Sequence, residues 1–510
     1  MRIPNTKAIE RIKSVLLVVL FFTTVLLLYF FWENASADPF KLTGFTHTPE
    51  VMEEAPKVTE TVIPTEITAS FGDGTYTIIS DGEKKLWERA LSNLKTFGDA
   101  ANTSSILVGP ISKETYMEAV AAPSIQFQFQ YDIPFSEFCE FYGLKRIQAY
   151  DAIEGVSTIA YSMVSKESIL IYQQKNDKYY ALVADKDYTD FSGQINEIEG
   201  GSYPSYYPAG TFFGSEVKSG TLIPLSLQSE LLEIRYERES GNTMDEKVKD
   251  LAESFFGESY DFIRRTTDIK GNRILMYGYG QKIFNINVDG SFEYREKLDN
   301  SAPAQSKFFD SLEKALNFVA AHGTWNSLDG TEMSAYLKRV TPISQEKKKG
   351  YRFIFGMKLG TQNVYYENGS PIQVDVIGGQ VIRYRRNMID FQKNALETYL
   401  SGDPRETFDP VNTITTNYKY IYQQLTDAGE KLLSINDPNA FDDIVERITT
   451  MEIGYVRPKS EEEQGERRLL PCYRITFGRK VTLYFSLYNA EPIGLESEAS
   501  GSNAAQEGGE

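Results

Sequence analysis

Two histidines and two cysteines in 510 residues leave little material for nucleophilic or metal chemistry. A Ser/His/Asp relay needs a histidine within reach of its serine, and zinc sites draw chiefly on histidine and cysteine. His47 has no second His or Cys beside it, and His322 stands at the end of an expected helix, where an imidazole caps carbonyls or packs. Cys139 and Cys472 fall in different expected domains and read as two separate buried thiols, although an exported chain could pair them. Gly278-Tyr279-Gly280 copies only a fragment of a dinucleotide fingerprint and lies between strand-like runs, which makes it a bend. With 71 acidic residues, accidental carboxylate pairs are guaranteed, so none can be singled out for glycoside hydrolysis. No catalytic residue, cofactor or metal ligand is expected, and the chain reads as a non-enzyme. Basic charge is scarce too: a formal net charge of −18 repels polyanions and argues against nucleic acid as a partner.

Apolar and aromatic residues are plentiful, at 41% and 13%, with 32 Tyr and 31 Phe. An acidic chain that stays disordered has few aromatics, so this one should fold, with many strands. Residues 14–32, SVLLVVLFFTTVLLLYFFW, carry no charge, and at about 1.5 Å per residue they match a hydrocarbon core of roughly 30 Å. Arg2, Lys7, Arg11 and Lys13 precede the run, while Glu33, Asp38, Glu50, Glu53 and Glu54 follow it. The positive-inside rule places residues 1–13 in the cytoplasm and everything after Trp32 outside the cell membrane, as a single-pass protein. Ala35-Ser36-Ala37 has the form of a signal peptidase site, but the run is longer than an ordinary signal core and ends in bulky aromatics, which favours an uncleaved anchor. Val15, Val18, Val19, Phe22, Leu26 and Tyr29 form one stripe of this helix and are the candidate partner-binding residues, with lipid contact as the simpler alternative.

The exported part reads as α+β. After a linker at 33–62, an N-terminal domain is expected at 63–228, helix-plus-sheet units at 229–300, 301–391 and 392–497, and a disordered tail at 498–510. Trp87, Ala90, Leu91 and Leu94 have helical spacing; Ile125, Phe127, Phe129, Tyr131 and Ile133 alternate as the packed face of a strand, with Gln126, Gln128, Gln130 and Asp132 on a wet one. Lys175-Asn176-Asp177 should turn a hairpin, and 200–210, rich in Tyr and Pro, should be a loop. A weak repeat follows. Helices at 245–257, 311–323 and 441–449 share one face pattern, and each precedes an antiparallel aromatic meander. Asp289-Gly290, Asn368-Gly369 and Gly378-Gly379 suit tight turns. Lys347-Lys348-Lys349 and Arg383-Arg385-Arg386 read as solvated loop and strand-end charge.

The order of features, from IKSVLLVVL through YGYGQKIFNINVDGSFEYRE and SLEKALNFVAAHGTW to YRFIFGMKL and SPIQVDVIGGQVIRYRRN, resembles the YycH family. The resemblance covers the anchor and most of 240–391. It implies a membrane-anchored accessory protein of the WalK/WalR two-component system of low-GC Gram-positive bacteria, which controls cell-wall metabolism. The implied partners are a WalK-like sensor histidine kinase and a YycI-like protein, and no family motif is catalytic. A tethered binding module for a wall polymer, or a propeptide-like protease inhibitor, is the alternative.

Overall fold

The structure, a computed structural model, describes Thr23, Thr24 and residues 55–496 except 80–82, 101–106, 146–147, 166–167, 184–189, 202, 215–219, 226–227, 230, 237–241, 289–290, 323–324, 326–332, 368, 388–404, 459–466 and 479–480. Two compact units are distinguished, Met1–Val51 and Met52–Glu510. In the first, Thr23 and Thr24 are helical. Val15, Val18, Val19, Phe22, Leu26 and Tyr29 lie outside the described residues, as do His47, the Asp289-Gly290 pair, Asn368 and the tail. Among the described residues no helix is long and apolar enough to cross a membrane.

The second unit is mixed α+β. It opens with helix α1 (Val58–Thr61), inside the expected linker, and the next residue, Val62, is already buried in the core. A nine-stranded antiparallel sheet follows, made of β1 (Glu66–Ser70), β2 (Tyr76–Ile79), β3 (Leu107–Ile111), β4 (Ser124–Pro134), β5 (Gly155–Ser162), β6 (Ser168–Gln173), β7 (Lys178–Val183), β8 (Tyr206–Pro208) and β9 (Leu222–Pro224). Its order is β3-β7-β6-β5-β4-β1-β2-β8-β9. Helix α2 (Glu83–Ala100) lays Trp87, Ala90, Leu94 and Phe97 on the face of β4 that carries Ile125, Phe127, Phe129, Tyr131 and Ile133, all buried as the two periodicities require. The Trp87 ring sits 5.7 Å from Phe127 and 5.4 Å from Phe129.

The opposite face of β4 is less wet than expected. Gln126, Gln128 and Asp132 are half-buried, because helix α3 (Lys113–Ala121) covers the neighbouring strands with Tyr116 and Val120 against Ala160, Leu170 and Tyr179. Asp132 accepts the backbone N–H groups of Gln174 and Lys175 at 3.0 and 2.8 Å and so pins the β6–β7 hairpin turn. Residues 200–210 are not all loop: β8 and the start of helix α6 lie there, after α4 (Phe135–Phe141) and α5 (Ser192–Glu199), with α6 spanning Ala209–Phe213.

The remaining chain forms one fourteen-stranded sheet. A short pair, β10 (Gln228–Ser229) with β21 (Arg405–Glu406), stands apart from it. The large sheet contains β11 (Ile234–Tyr236), β12 (Arg264–Thr267), β13 (Arg273–Tyr277), β14 (Lys282–Ile286), β15 (Phe292–Glu296), β16 (Met333–Gln345), β17 (Lys348–Leu359), β18 (Gln362–Tyr366), β19 (Ile372–Ile377), β20 (Gln380–Arg386), β22 (Ile448–Arg457), β23 (Arg467–Phe477), β24 (Val481–Ser486) and β25 (Pro492–Leu495). Its main order is β12-β13-β14-β15-β20-β19-β17-β18-β22-β23-β24-β25. The three expected meanders therefore join edge to edge, through β15 with β20 and β18 with β22. The second of these pairs is parallel, a departure from the antiparallel reading.

The helices with the shared face pattern are α7 (Asn242–Phe256), α8 (Phe308–Ala321) and α11 (Ala440–Glu446). Phe255 of α7 and Leu312, Ala315, Leu316 and Val319 of α8 pack with Phe284, Tyr294 and Tyr384 in one core, while Ile444 and Val445 of α11 belong to a second core with Ile448, Ile475 and Phe485. Ala209 and Ile223 also sit in that second core, so the end of the nine-stranded sheet packs with the C-terminal strands. Helices α9 (Pro410–Thr416) and α10 (Tyr418–Asp427) have no counterpart in the sequence reading.

Candidate functional site

Charge among apolar and aromatic strand residues marks a buried ionisable cluster on β22 and β23. Strand pairing sets Glu452 of β22 opposite Arg474 of β23, and Arg474 opposite Tyr484 of β24. The Arg474 guanidinium donates to Glu452 at 2.6 Å and to Glu496, just past β25, at 2.9 Å, and it lies 5.1 Å from the Tyr365 ring. The Tyr484 hydroxyl donates to Glu496 at 2.9 Å. Lys338 of β16 completes the group, 3.9 Å from Glu496 and over the same Tyr365 ring. Gly356 makes room beside it, since a Cβ there would lie 2.6 Å from the Tyr336 ring.

Burial sets the electrostatics. It works to raise the Glu496 pKa, but Lys338 and Arg474 outweigh it and hold the carboxyl near 2. Burial also pulls Lys338 below the ordinary lysine value, because a contact as long as 3.9 Å does not restore what desolvation removes. Arg474, gripped by two carboxylates, is pushed further up despite burial.

Across from this cluster stands the nine-stranded sheet. Glu66 of β1 receives the Thr68 hydroxyl at 3.1 Å and the Gln128 amide at 3.4 Å. Burial, then the nearby Glu452, lifts its carboxyl to about 7. The half-wet face of β1 and β4 thus meets the ionic face of β22 to β25 in a polar seam. An apolar seam lies elsewhere, where Phe141 of α4 stacks on Phe309 of α8 at 4.0 Å and Tyr131 stacks on Phe308. The seam holds paired ions and tyrosines, and the Cys472 thiol beside them is pushed up by burial.

The structure places the remaining sequence candidates, some as expected and some not. His322 is the C-cap of α8, its backbone N–H donating to the Phe318 carbonyl at 3.1 Å, and its imidazole packs: the ring stacks on Phe255 at 4.4 Å, Nδ1 meets the Ser254 hydroxyl at 3.0 Å, and burial lowers its pKa to about 4. Cys139 and Cys472 are both buried and not joined in a disulfide. Arg383 and Arg386 are not solvated strand-end charge. Arg383 forks onto Glu293 at 3.1 and 3.0 Å, and Arg386 is buried beside the Tyr384 hydroxyl. Lys348 donates to the Asn300 carbonyl at 2.7 Å. Among the described residues no group of three or more His, Cys, Asp or Glu side chains is placed to hold a metal ion. Lys338, Glu452, Arg474 and Glu496 were not singled out by motif; the available signal was a charge flanked by strand apolars, as in Tyr473-Arg474-Ile475.

Comparison with known proteins finds a family likeness over part of the chain. A model described as YycH protein, N-terminal domain, matches residues 10–189. Over that stretch the chain is similar to the YycH family. The matched stretch holds the apolar run and most of the nine-stranded sheet, whereas the segments of 240–391 that carry the sequence resemblance lie beyond it. The crystal structure of YycH from Bacillus subtilis is similar in fold, with a TM-score of 0.51, 11% identity, and coverage of 87% of this chain and 98% of that one. No curated protein matches the sequence.

Proposed function

We propose that this chain is a YycH-like, non-enzymatic, membrane-anchored regulator whose main part lies outside the cell membrane and which adjusts a WalK-like sensor histidine kinase controlling cell-wall metabolism. The family match over residues 10–189, which takes in the apolar run, carries this reading. Residues 14–32 form the transmembrane helix, with 1–13 in the cytoplasm and the units at 63–228, 229–300, 301–391 and 392–497 exported. Val15, Val18, Val19, Phe22, Leu26 and Tyr29 face a partner helix, and a YycI-like protein is the second partner. A helix packed against kinase helices biases a two-state bundle, and the exported sheets shift that bias through whatever they bind differently in the two states. Coupling of this kind amounts to about 1 to 3 kcal/mol, or roughly 5- to 150-fold in an equilibrium.

The test replaces residues 14–32 with an unrelated apolar helix of equal length. Export is kept and control of kinase output is lost; unchanged output removes the anchor from the mechanism. Crosslinking from Val18 and Phe22 in native membranes then captures a kinase or a second single-pass protein, while capture of lipid alone makes the anchor a passive tether. Full activity of a form released from the membrane favours the tethered wall-polymer module or protease inhibitor instead.

A further inference from the structure

The nine-stranded sheet ends in β3 and β9, and the main path of the large sheet ends in β12 and β25. Three of these four strands contain a proline, Pro110 inside β3, Pro224 at the end of β9 and Pro492 at the start of β25. A proline removes an N–H from the open side and blunts pairing with another chain. β12 has no proline. It pairs with β13 through four unbroken register positions, Arg264 with Met276 to Thr267 with Arg273, and all four of its side chains are exposed.

Large exposed apolar side chains gather beside this edge. Ile269, in the turn from β12 to β13, is 103% exposed, and Tyr279, in the turn from β13 to β14, is 97% exposed and held at φ 55 between two glycines. The Arg264 guanidinium lies 5.7 Å from the Tyr279 ring, and Arg265 lies 4.8 Å from Tyr260. Both arginines are thus folded onto rings of their own chain, on a strand that has no acidic residue.

We propose that β12 is a docking edge for an extended acidic segment of another polypeptide, which adds as a further strand. Its backbone takes the open hydrogen-bonding side, its carboxylates meet Arg264 and Arg265, and its apolar residues cover Ile269 and Tyr279. A second copy fits worse, because self-pairing of β12 brings like charges together, two arginines on each face. This contact is separate from the transmembrane helix, so the variant with a replaced anchor retains it.

The test uses the full chain in detergent micelles with a fluorescent peptide of alternating glutamate and valine, read by anisotropy and by amide hydrogen exchange. Binding slows exchange at residues 264–267, and the exposed double substitution R264E/R265E weakens it by at least about tenfold, near 1.4 kcal/mol. A peptide of alternating lysine and valine does not bind, and a proline-interrupted acidic peptide binds without protecting β12 or not at all. Equal binding of the acidic and basic peptides, or acidic-peptide binding that leaves 264–267 unprotected, overturns the proposal, as does failure of the acidic peptide to bind. Protection of 264–267 in a peptide-free dimer assigns the edge to a second copy and overturns it as well.

Discussion

The Glu137 carboxylate accepts the backbone N–H of Phe308 at 2.6 Å, so a side chain of α4 caps α8 from 171 positions away. The N-cap of α8 is Lys307, whose side chain makes no cap hydrogen bond, and Lys307 itself reaches Glu140 at 2.9 Å. The first turn of α8 is therefore completed by another part of the chain, beside the Phe141–Phe309 stack.

Removing that cap should cost stability without disturbing the cores. Glu137→Ala is expected to lower unfolding free energy by about 1 to 2 kcal/mol, with Glu137→Gln recovering part of the loss. Urea denaturation measures it, and an unchanged midpoint for Glu137→Ala would show that the contact contributes nothing.

Glu66 should make stability depend on pH with a sign opposite to the usual carboxylate. Its carboxyl is raised from 4.5 to about 7 by burial and by Glu452. Between those values the folded chain holds a proton that the unfolded chain has released, so its contribution to stability is greatest at the acidic end of the window and declines as pH rises through it. Glu496, held near 2, acts the other way, and its contribution is lost only as pH falls below about 4.5. Buried His322, with its pKa lowered to about 4, adds stability as pH rises over much of the same window and offsets this fall, so melting temperatures should rise with pH more steeply in Glu66→Gln than in the native chain; parallel curves for the two would refute the assignment.

Arg474 and Lys338 should behave unlike each other. Arg474→Met strands Glu452 and Glu496 in a buried site and should destabilise by about 3 to 5 kcal/mol, the cost typical of breaking a buried pair. Lys338→Met takes from Glu496 the charge that most lowers its carboxyl but also removes a cation that burial disfavours, so its cost should be smaller, about 1 to 2 kcal/mol. Similar losses in both variants, measured by chemical denaturation, would contradict the geometry.

The turn between β16 and β17 offers a stabilising change. Glu346 and Lys347 are both held at positive φ, 51° and 64°, between the paired residues Gln345 and Lys348. Asn and Gly adopt that backbone more readily, so E346N/K347G should raise stability by about 1 kcal/mol. A lower melting temperature would mean that the two side chains hold something the backbone conformation does not reveal.

Much of this fold is written locally. The alternation from Ile125 to Ile133, the spacing of Trp87, Ala90 and Leu94, and the glycine pair at 378 and 379 specify strand, helix and turn because period and backbone freedom are local properties. Helices α9 and α10 escape that reading because Thr, Asn and Tyr dilute the apolar period, although Asp409 before Pro410 is a legible start and does cap the Asn412 N–H at 2.7 Å. The joining of three meanders into one sheet is not legible, since the pairing of Tyr365 with Val456 depends on edges brought together from distant segments. The polar seam is hidden for the same reason. Glu66 and Glu452 belong to different sheets, and only their approach makes either one chemically unusual.

Glu233 and Arg468 meet across 235 positions, where β11 closes onto β23. A ribosome delivers the first of these strands long before the second, and loop closure over such a span is slow. The C-terminal core therefore cannot mature while the chain is still being made. Truncation shortly before Arg467 would leave β11 without its partner, so quality control that senses open strands would discard a fragment in which the earlier sheet is already complete.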